Sequence, residues 1–161
     1  MKSMTTKLLA LASLAFTVSS SAYDFPSFDI MHSHCAVSVV IPNKLCTSVY
    51  SDITNTVNKF NAGQDPSGGV YQYKEKQPIS YMWLIHVSKR GWNSDILLEP
   101  TQVNGDCQIR GRSRTTSTFH IAGTENYCDL WNLYQAIGPY TQMDINSCSS
   151  VPRDPSSTCT N

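Results

Sequence analysis

The chain has no Cys-x-x-Cys pair, no Gly-x-Ser-x-Gly elbow, no His-Glu-x-x-His and no glycine-rich phosphate loop. A thioredoxin-like redox centre, a zinc ribbon, a serine-hydrolase elbow, a zincin site and a nucleotide loop therefore have no support. There is no Asn-x-Ser/Thr triplet, so glycosylation gives no guide to exposed loops. Charge is scarce and balanced, at 15% of residues with 12 Lys and Arg against 12 Asp and Glu. That balance predicts no bulk attraction to nucleic acid or to an anionic membrane. After residue 22 no long apolar run occurs, so no membrane-spanning segment is expected there. The final residues Thr158-Cys159-Thr160-Asn161 are polar, unlike a hydrophobic lipid-anchor tail.

What is present begins with the first 22 residues. Lys2 and Lys7 precede an apolar run from Leu8 to Val18, and Ser20-Ser21-Ala22 closes it. Small residues in those places fit a secretory cleavage site, so residues 1–22 read as a signal peptide and Tyr23 as the mature N-terminus. Of 161 residues, removing 22 leaves 139, enough for one domain with its own core. Without Lys2 and Lys7 the balance becomes ten cations against twelve acids. The expected destination is extracellular, where paired thiols are the rule.

Six cysteines follow: Cys35, Cys46, Cys107, Cys128, Cys148 and Cys159. They allow fifteen complete pairings, and structural disulfides are the expected use. On spacing alone the short bridge Cys148–Cys159 is preferred and Cys107 pairs plausibly with Cys128. Cys35 is then left with Cys46, a pair that an extended strand and a turn would carry apart.

Alternation over 35–41 puts Cys35, Val37, Val39 and Ile41 on one face of a strand that Pro42 ends. Asn43 is positioned to cap a helix carrying Leu45, Val49, Ile53, Val57 and Phe60 as one apolar stripe, with Gly63 at its end. Strands are expected over 70–74, 79–89, 95–103 and 107 to about 122, with Asn104-Gly105 as a hairpin turn. In the second of these, Tyr81, Trp83 and Ile85 alternate with Met82, Leu84 and His86. A strand apolar on both faces belongs inside a sheet or beside a cavity. A second helix carries Tyr127, Leu130, Trp131, Tyr134 and Ile137, with Asn126 as cap, Asp129 three residues on, and Gly138-Pro139 as stop.

The expected fold is α+β, with an antiparallel sheet of about five strands packed on one long helix and a second C-terminal helix, in the helix-grip or cystatin/NTF2-like manner. A small lipocalin-like barrel is the alternative, against which the early helix argues. Residues 23–138 form the domain, and 139–161 read as an irregular tail stapled by disulfides.

Arg110, Arg112 and Arg114 alternate along the last strand and would share a face with Thr116, Thr118 and His120. Such a row grips a carboxylate, phosphate or sulfated sugar by paired hydrogen bonds. It is equally an ordinary solvent face paired with neighbouring acids, and Gly111 is able to break it with a bulge. His32-Ser33-His34-Cys35 offers two imidazoles, too few for a metal centre. His86 and His120 are general-base candidates beside Asp95 or Glu99, or simply polar residues on a half-solvated sheet. Tyr71, Tyr73, Tyr81, Trp83 and Trp92 gather in the strands, with core packing as their default role. No catalytic residue, metal or cofactor is expected.

The segment Gly123-Thr124-Glu125-Asn126-Tyr127-Cys128-Asp129-Leu130-Trp131-Asn132-Leu133 resembles a motif of small secreted, cysteine-paired animal and protist proteins, functionally uncharacterised as a group. Their Gly-Thr-Asn-Tyr-Cys-Asn-Leu-x-Asn-Leu segment comes with an upstream Gly-Cys strand, a Pro-Asn-x-x-Cys helix start and a two-cysteine tail. Gly105 to Cys107, Pro42 to Cys46, and Cys148 with Cys159 match these. Glu125 is an insertion and Asp129 replaces an asparagine. The resemblance implies secretion and fold, and carries over no catalytic residue.

The expected function is a secreted, disulfide-stabilised binding protein for a small apolar or anionic ligand or a partner surface, with its pocket between the sheet and helix 44–60. A structural extracellular interaction protein without a pocket is the alternative, and a secreted hydrolase using His86 or His120 comes last.

Overall fold

In the computed structural model, residues 24–117 and 123–160 are described. The signal segment 1–22 and His120 lie outside them. The elements run β1 (His34–Ile41), α1 (Cys46–Lys59), a π-helical turn (Phe60–Gln64), β2 (Val70–Gln77), β3 (Tyr81–Val87), β4 (Asn93–Val103), β5 (Asp106–Thr115), α2 (Glu125–Ile137), β6 (Gln142–Cys148) and α3 (Pro155–Thr158). The six strands form one open sheet in the order β2-β3-β4-β5-β1-β6, antiparallel throughout. The sheet therefore has six strands where about five were expected, and it does not close into the alternative barrel.

The added strand lies in the segment read as an irregular tail. β6 pairs with β1, placing Cys148 directly opposite Cys35. That register makes the Cys35–Cys148 disulfide, and the other two are Cys46–Cys107 and Cys128–Cys159. All three pairings derived from spacing are thus corrected. Local spacing has no access to a strand that returns to the first one from the far end of the chain.

The inner face of the sheet carries the main core. Val37, Val39, Ile41, Leu84, Ile96, Leu98 and Ile109 pack there with Val49, Ile53 and Val57 of α1 and Leu130, Leu133 and Tyr134 of α2. Gly111 on β5 lets α2 pack close against the sheet. A Cβ there would stand 2.2 Å from the Tyr134 hydroxyl and 2.8 Å from Leu130. Register runs through it without a bulge. The α1 stripe packs on the sheet with Val49 and Val57 wholly buried, so the pocket expected beneath this helix is filled by side chains.

Helix starts differ from expectation. Asn43 adopts φ 54° and donates its N–H to Asp106, so it is a turn residue and not the cap of α1. Leu45 takes the cap position and is exposed, outside the buried stripe. In α2 the cap position belongs to Thr124, and Asn126 is buried inside the helix. Asn104 and Gly105 both have positive φ, as the hairpin requires.

The outer face is covered in part by the lead-in 24–33. Phe25 packs on Trp83 with ring centroids 5.6 Å apart, and joins Tyr81 and Leu97 in a small second cluster that Phe28 borders. β3 is accordingly sandwiched on both faces, as its two apolar sets predict. Among the described residues no helix is long and apolar enough to cross a membrane.

Candidate functional site

Pleating places His86 on the inner face of β3, with Met82 and Leu84, and opposite Tyr71 of β2. The Tyr71 and His86 rings stack at 4.4 Å between centroids. His86 is 4% exposed and lies between two buried carboxylates. Its Nδ1 is 2.7 Å from Asp129 on α2, and its Nε2 is 3.7 Å from Asp65 in the loop before β2. This corrects the reading of His86 as a residue of a half-solvated sheet. Asp95 and Glu99, its expected partners, are on the opposite face, where they answer Lys74 and Arg112.

Each acid is held in turn. Asp65 Oδ2 accepts from the Gly69 N–H at 2.7 Å and from the Ser67 hydroxyl. Gly69 is required by this approach, since a Cβ there would fall 2.1 Å from His86 Nε2. On the other side, Ser113 Oγ stands 3.0 Å from Asp129 Oδ2 and 2.8 Å from the Asn126 amide oxygen. A hydroxyl has one proton for two acceptors. Turning the Asn126 amide over lets its nitrogen donate to Ser113, which then donates to Asp129, and this also gives the otherwise unpartnered Asn126 Nδ2 an acceptor.

The electrostatics follow from this enclosure. Burial alone would lower the His86 pKa, but the charge and hydrogen bond of Asp129, followed by the nearby carboxylate of Asp65, push it up to about 10. Burial works to raise Asp65, yet the nearby His86 imidazolium and the bonds from Ser67 and Gly69 leave it below the ordinary carboxylate range. Burial, together with the charges of Asp129 and Asp65, drives the Tyr71 phenol well above its ordinary value. At neutral pH the cluster is an imidazolium between two carboxylates under a neutral phenol. A histidine that keeps its proton this firmly is poorly matched to general-base work near pH 7.

A pocket of about 730 Å³ opens beside this cluster. His86 and Asp129 line it from the interior, and Lys89, Arg90 and Trp92 from the turn between β3 and β4. Gly123, Thr124 and Glu125 at the start of α2 form a further wall, with the Cys128–Cys159 disulfide beside them. The Arg90 guanidinium sits over the Trp92 ring at 5.5 Å.

The arginine row lies elsewhere. Arg110, Arg112 and Arg114 do share the outer face of β5, as alternation predicts. Arg112 pairs with Glu99 at 3.2 Å and lies over the Phe25 ring. Arg114 reaches Asp29 of the lead-in at 2.6 Å, and Asp29 also holds His32. Arg110 is exposed, opposite Glu99 and Ser38 in register. His34 stacks on Phe28, and its neighbour Cys35 is oxidised, so the two N-terminal imidazoles are tied to the lead-in. Among the described residues no three His, Cys, Asp or Glu side chains are grouped to hold a metal.

No protein-family model and no curated protein matches this chain. Among solved structures, CalU16 from Micromonospora echinospora is similar over 65% of this chain and 71% of its own, at 12% identity and a TM-score of 0.47. A conserved protein from Geobacillus kaustophilus is similar over 65% of this chain and 91% of its own, at 9% identity and a TM-score of 0.43.

Proposed function

We propose that this chain is a secreted, disulfide-stabilised binding protein that holds a small ligand in the pocket beside His86. The observation that carries the reading is the pocket itself. Its volume of about 730 Å³ lies within the range of small-molecule sites, and polar and charged side chains make up most of its wall. Three disulfides and the signal-like first 22 residues support an extracellular location. The antiparallel sheet with α1 and α2 on one face supports a helix-grip or cystatin/NTF2-like version of the α+β plan. The ligand is placed here and not along the arginine row because Arg112 and Arg114 already answer Glu99 and Asp29.

The alternative, an interaction protein that works through its surface, draws on the lead-in turn, where Ile30 is fully exposed beside half-exposed Met31. A hydrolase is the least supported reading, since His86 is held as a cation. The test is to wall off the pocket. Thr124→Trp places an indole at the α2 start and removes no side-chain cap, because Thr124 makes none. Native mass spectrometry of the protein from its source should show a retained small molecule that the variant lacks. An adduct retained equally by both would put the ligand elsewhere.

A further inference from the structure

We infer that the ligand of this pocket is an organic anion, with its charged head toward Lys89 and Arg90 and a flat apolar body against Trp92. The inference rests on the pocket reading and narrows it to one chemical class. Lys89 and Arg90 are exposed at the β3–β4 turn, on the pocket lining, and neither has a carboxylate partner among the described residues. His86 on the inner wall is not a third free cation, because its Nδ1 is 2.7 Å from Asp129 and its buried Nε2 faces Asp65 at 3.7 Å and Gly69.

The start of α2 adds to the same field. The cap residue Thr124 gives no side-chain hydrogen bond to the helix, so the first-turn N–H groups beside the pocket lack that partner. Two carboxylates also line the pocket, but Asp129 is spent on His86 and Ser113, and Glu125 makes contacts of its own. Two cations without an acid partner, Lys89 and Arg90, at a partly enclosed space favour a negatively charged head. Size excludes a bare inorganic ion as the natural fit, because the space is far larger than sulfate or phosphate. The indole of Trp92 and the Cys128–Cys159 disulfide supply the apolar contacts that a body beyond the head would need.

The test uses two probes on one aromatic skeleton, the anionic 8-anilinonaphthalene-1-sulfonate and the uncharged N-phenyl-1-naphthylamine. Each is titrated into the full secreted chain and followed by probe fluorescence. The expected result is sulfonate binding at least tenfold tighter than the uncharged probe. Joint Lys89→Gln and Arg90→Gln substitution should weaken the sulfonate about tenfold and leave the other probe unchanged, while Thr124→Trp abolishes both. Equal affinities, or a sulfonate indifferent to the double substitution, would overturn the anion class and leave the pocket standing. Binding of both probes that ignores Thr124→Trp, or no binding of either, would overturn the pocket reading and the inference with it. Circular dichroism of each variant separates these results from misfolding.

Discussion

The two faces of the sheet use charge in opposite ways. On the outer face Arg110 is exposed, while Arg112 and Arg114 keep part of their surface in water and are answered by Glu99 of β4 and Asp29 of the lead-in. On the inner face, one imidazole and two carboxylates are shut in against α2 and the loop before β2. Exposed pairs gain little, because solvent screens them and long side chains lose freedom. An enclosed set is costly to assemble and still costlier to leave incomplete. The difference shows where this fold has committed itself, which is beside the pocket and not along the row.

Removing the imidazole is the sharpest way to break the contrast. His86→Ala leaves Asp65 and Asp129 buried without their cation, and should cost about 3–5 kcal/mol in urea denaturation. A cost under 1 kcal/mol would mean that the inner cluster is no different in kind from the outer pairs. The pH dependence sharpens the same point. His86 titrates near 10 folded against about 6.5 unfolded, so its stabilisation is complete below about pH 6.5 and is lost as pH rises through about 10. The stability gap between the wild type and His86→Gln should therefore narrow from pH 6 to pH 10.

Next in size is the staple at the pocket wall. The Cys128–Cys159 bridge closes a separation of 31 residues, and replacing both cysteines with serine should cost roughly 4 kcal/mol by loop entropy. Probe binding should fall as well, because α3 and Cys159 are then held chiefly by the Asn132 bond to the Cys159 carbonyl. Gly69→Ala comes third. Its Cβ would collide with His86 Nε2 and crowd the Val87 carbonyl, for a loss of about 1–3 kcal/mol by thermal or chemical denaturation. The outer pairs give the smallest effect. Arg112→Ala and Arg114→Ala should each cost no more than about 1 kcal/mol, and a larger loss would erase the contrast between faces.

Much of this architecture is legible in the chain because its signals are local. Val49, Ile53, Val57 and Phe60 recur at helical spacing and are buried as that spacing requires. The alternation through β1, β3 and β5 likewise sorts side chains onto the correct faces. β6 escaped notice for a physical reason. As an edge strand it is mostly exposed and offers only Met143 and Ile145 as apolar residues, so no burial shapes its sequence. The Cys35–Cys148 bridge depends on that strand, so spacing alone does not reveal it.

The site was half visible. His86 shares a strand face with Met82 and Leu84, and a histidine in that company is an inner residue. Its partners carry no such mark. Asp65 sits in a loop and Asp129 in a helix turn where it reads as a capping acid, and only the fold brings the three together. Nothing local to Gly69 marks it, because the requirement for glycine there comes from the imidazole of a distant strand.

The position of β1 between β5 and β6 also dictates an order of biosynthesis. The first strand to be made cannot acquire either neighbour until most of the polypeptide exists, and Cys35 waits 113 residues for Cys148. Cys35 is therefore without its native partner through nearly all of translation. The correct crosslink is available only after residues 142–148 have arrived. Premature pairing with Cys46 is the hazard, and a thiol–disulfide exchange catalyst that undoes it should raise the yield of the native crosslinks.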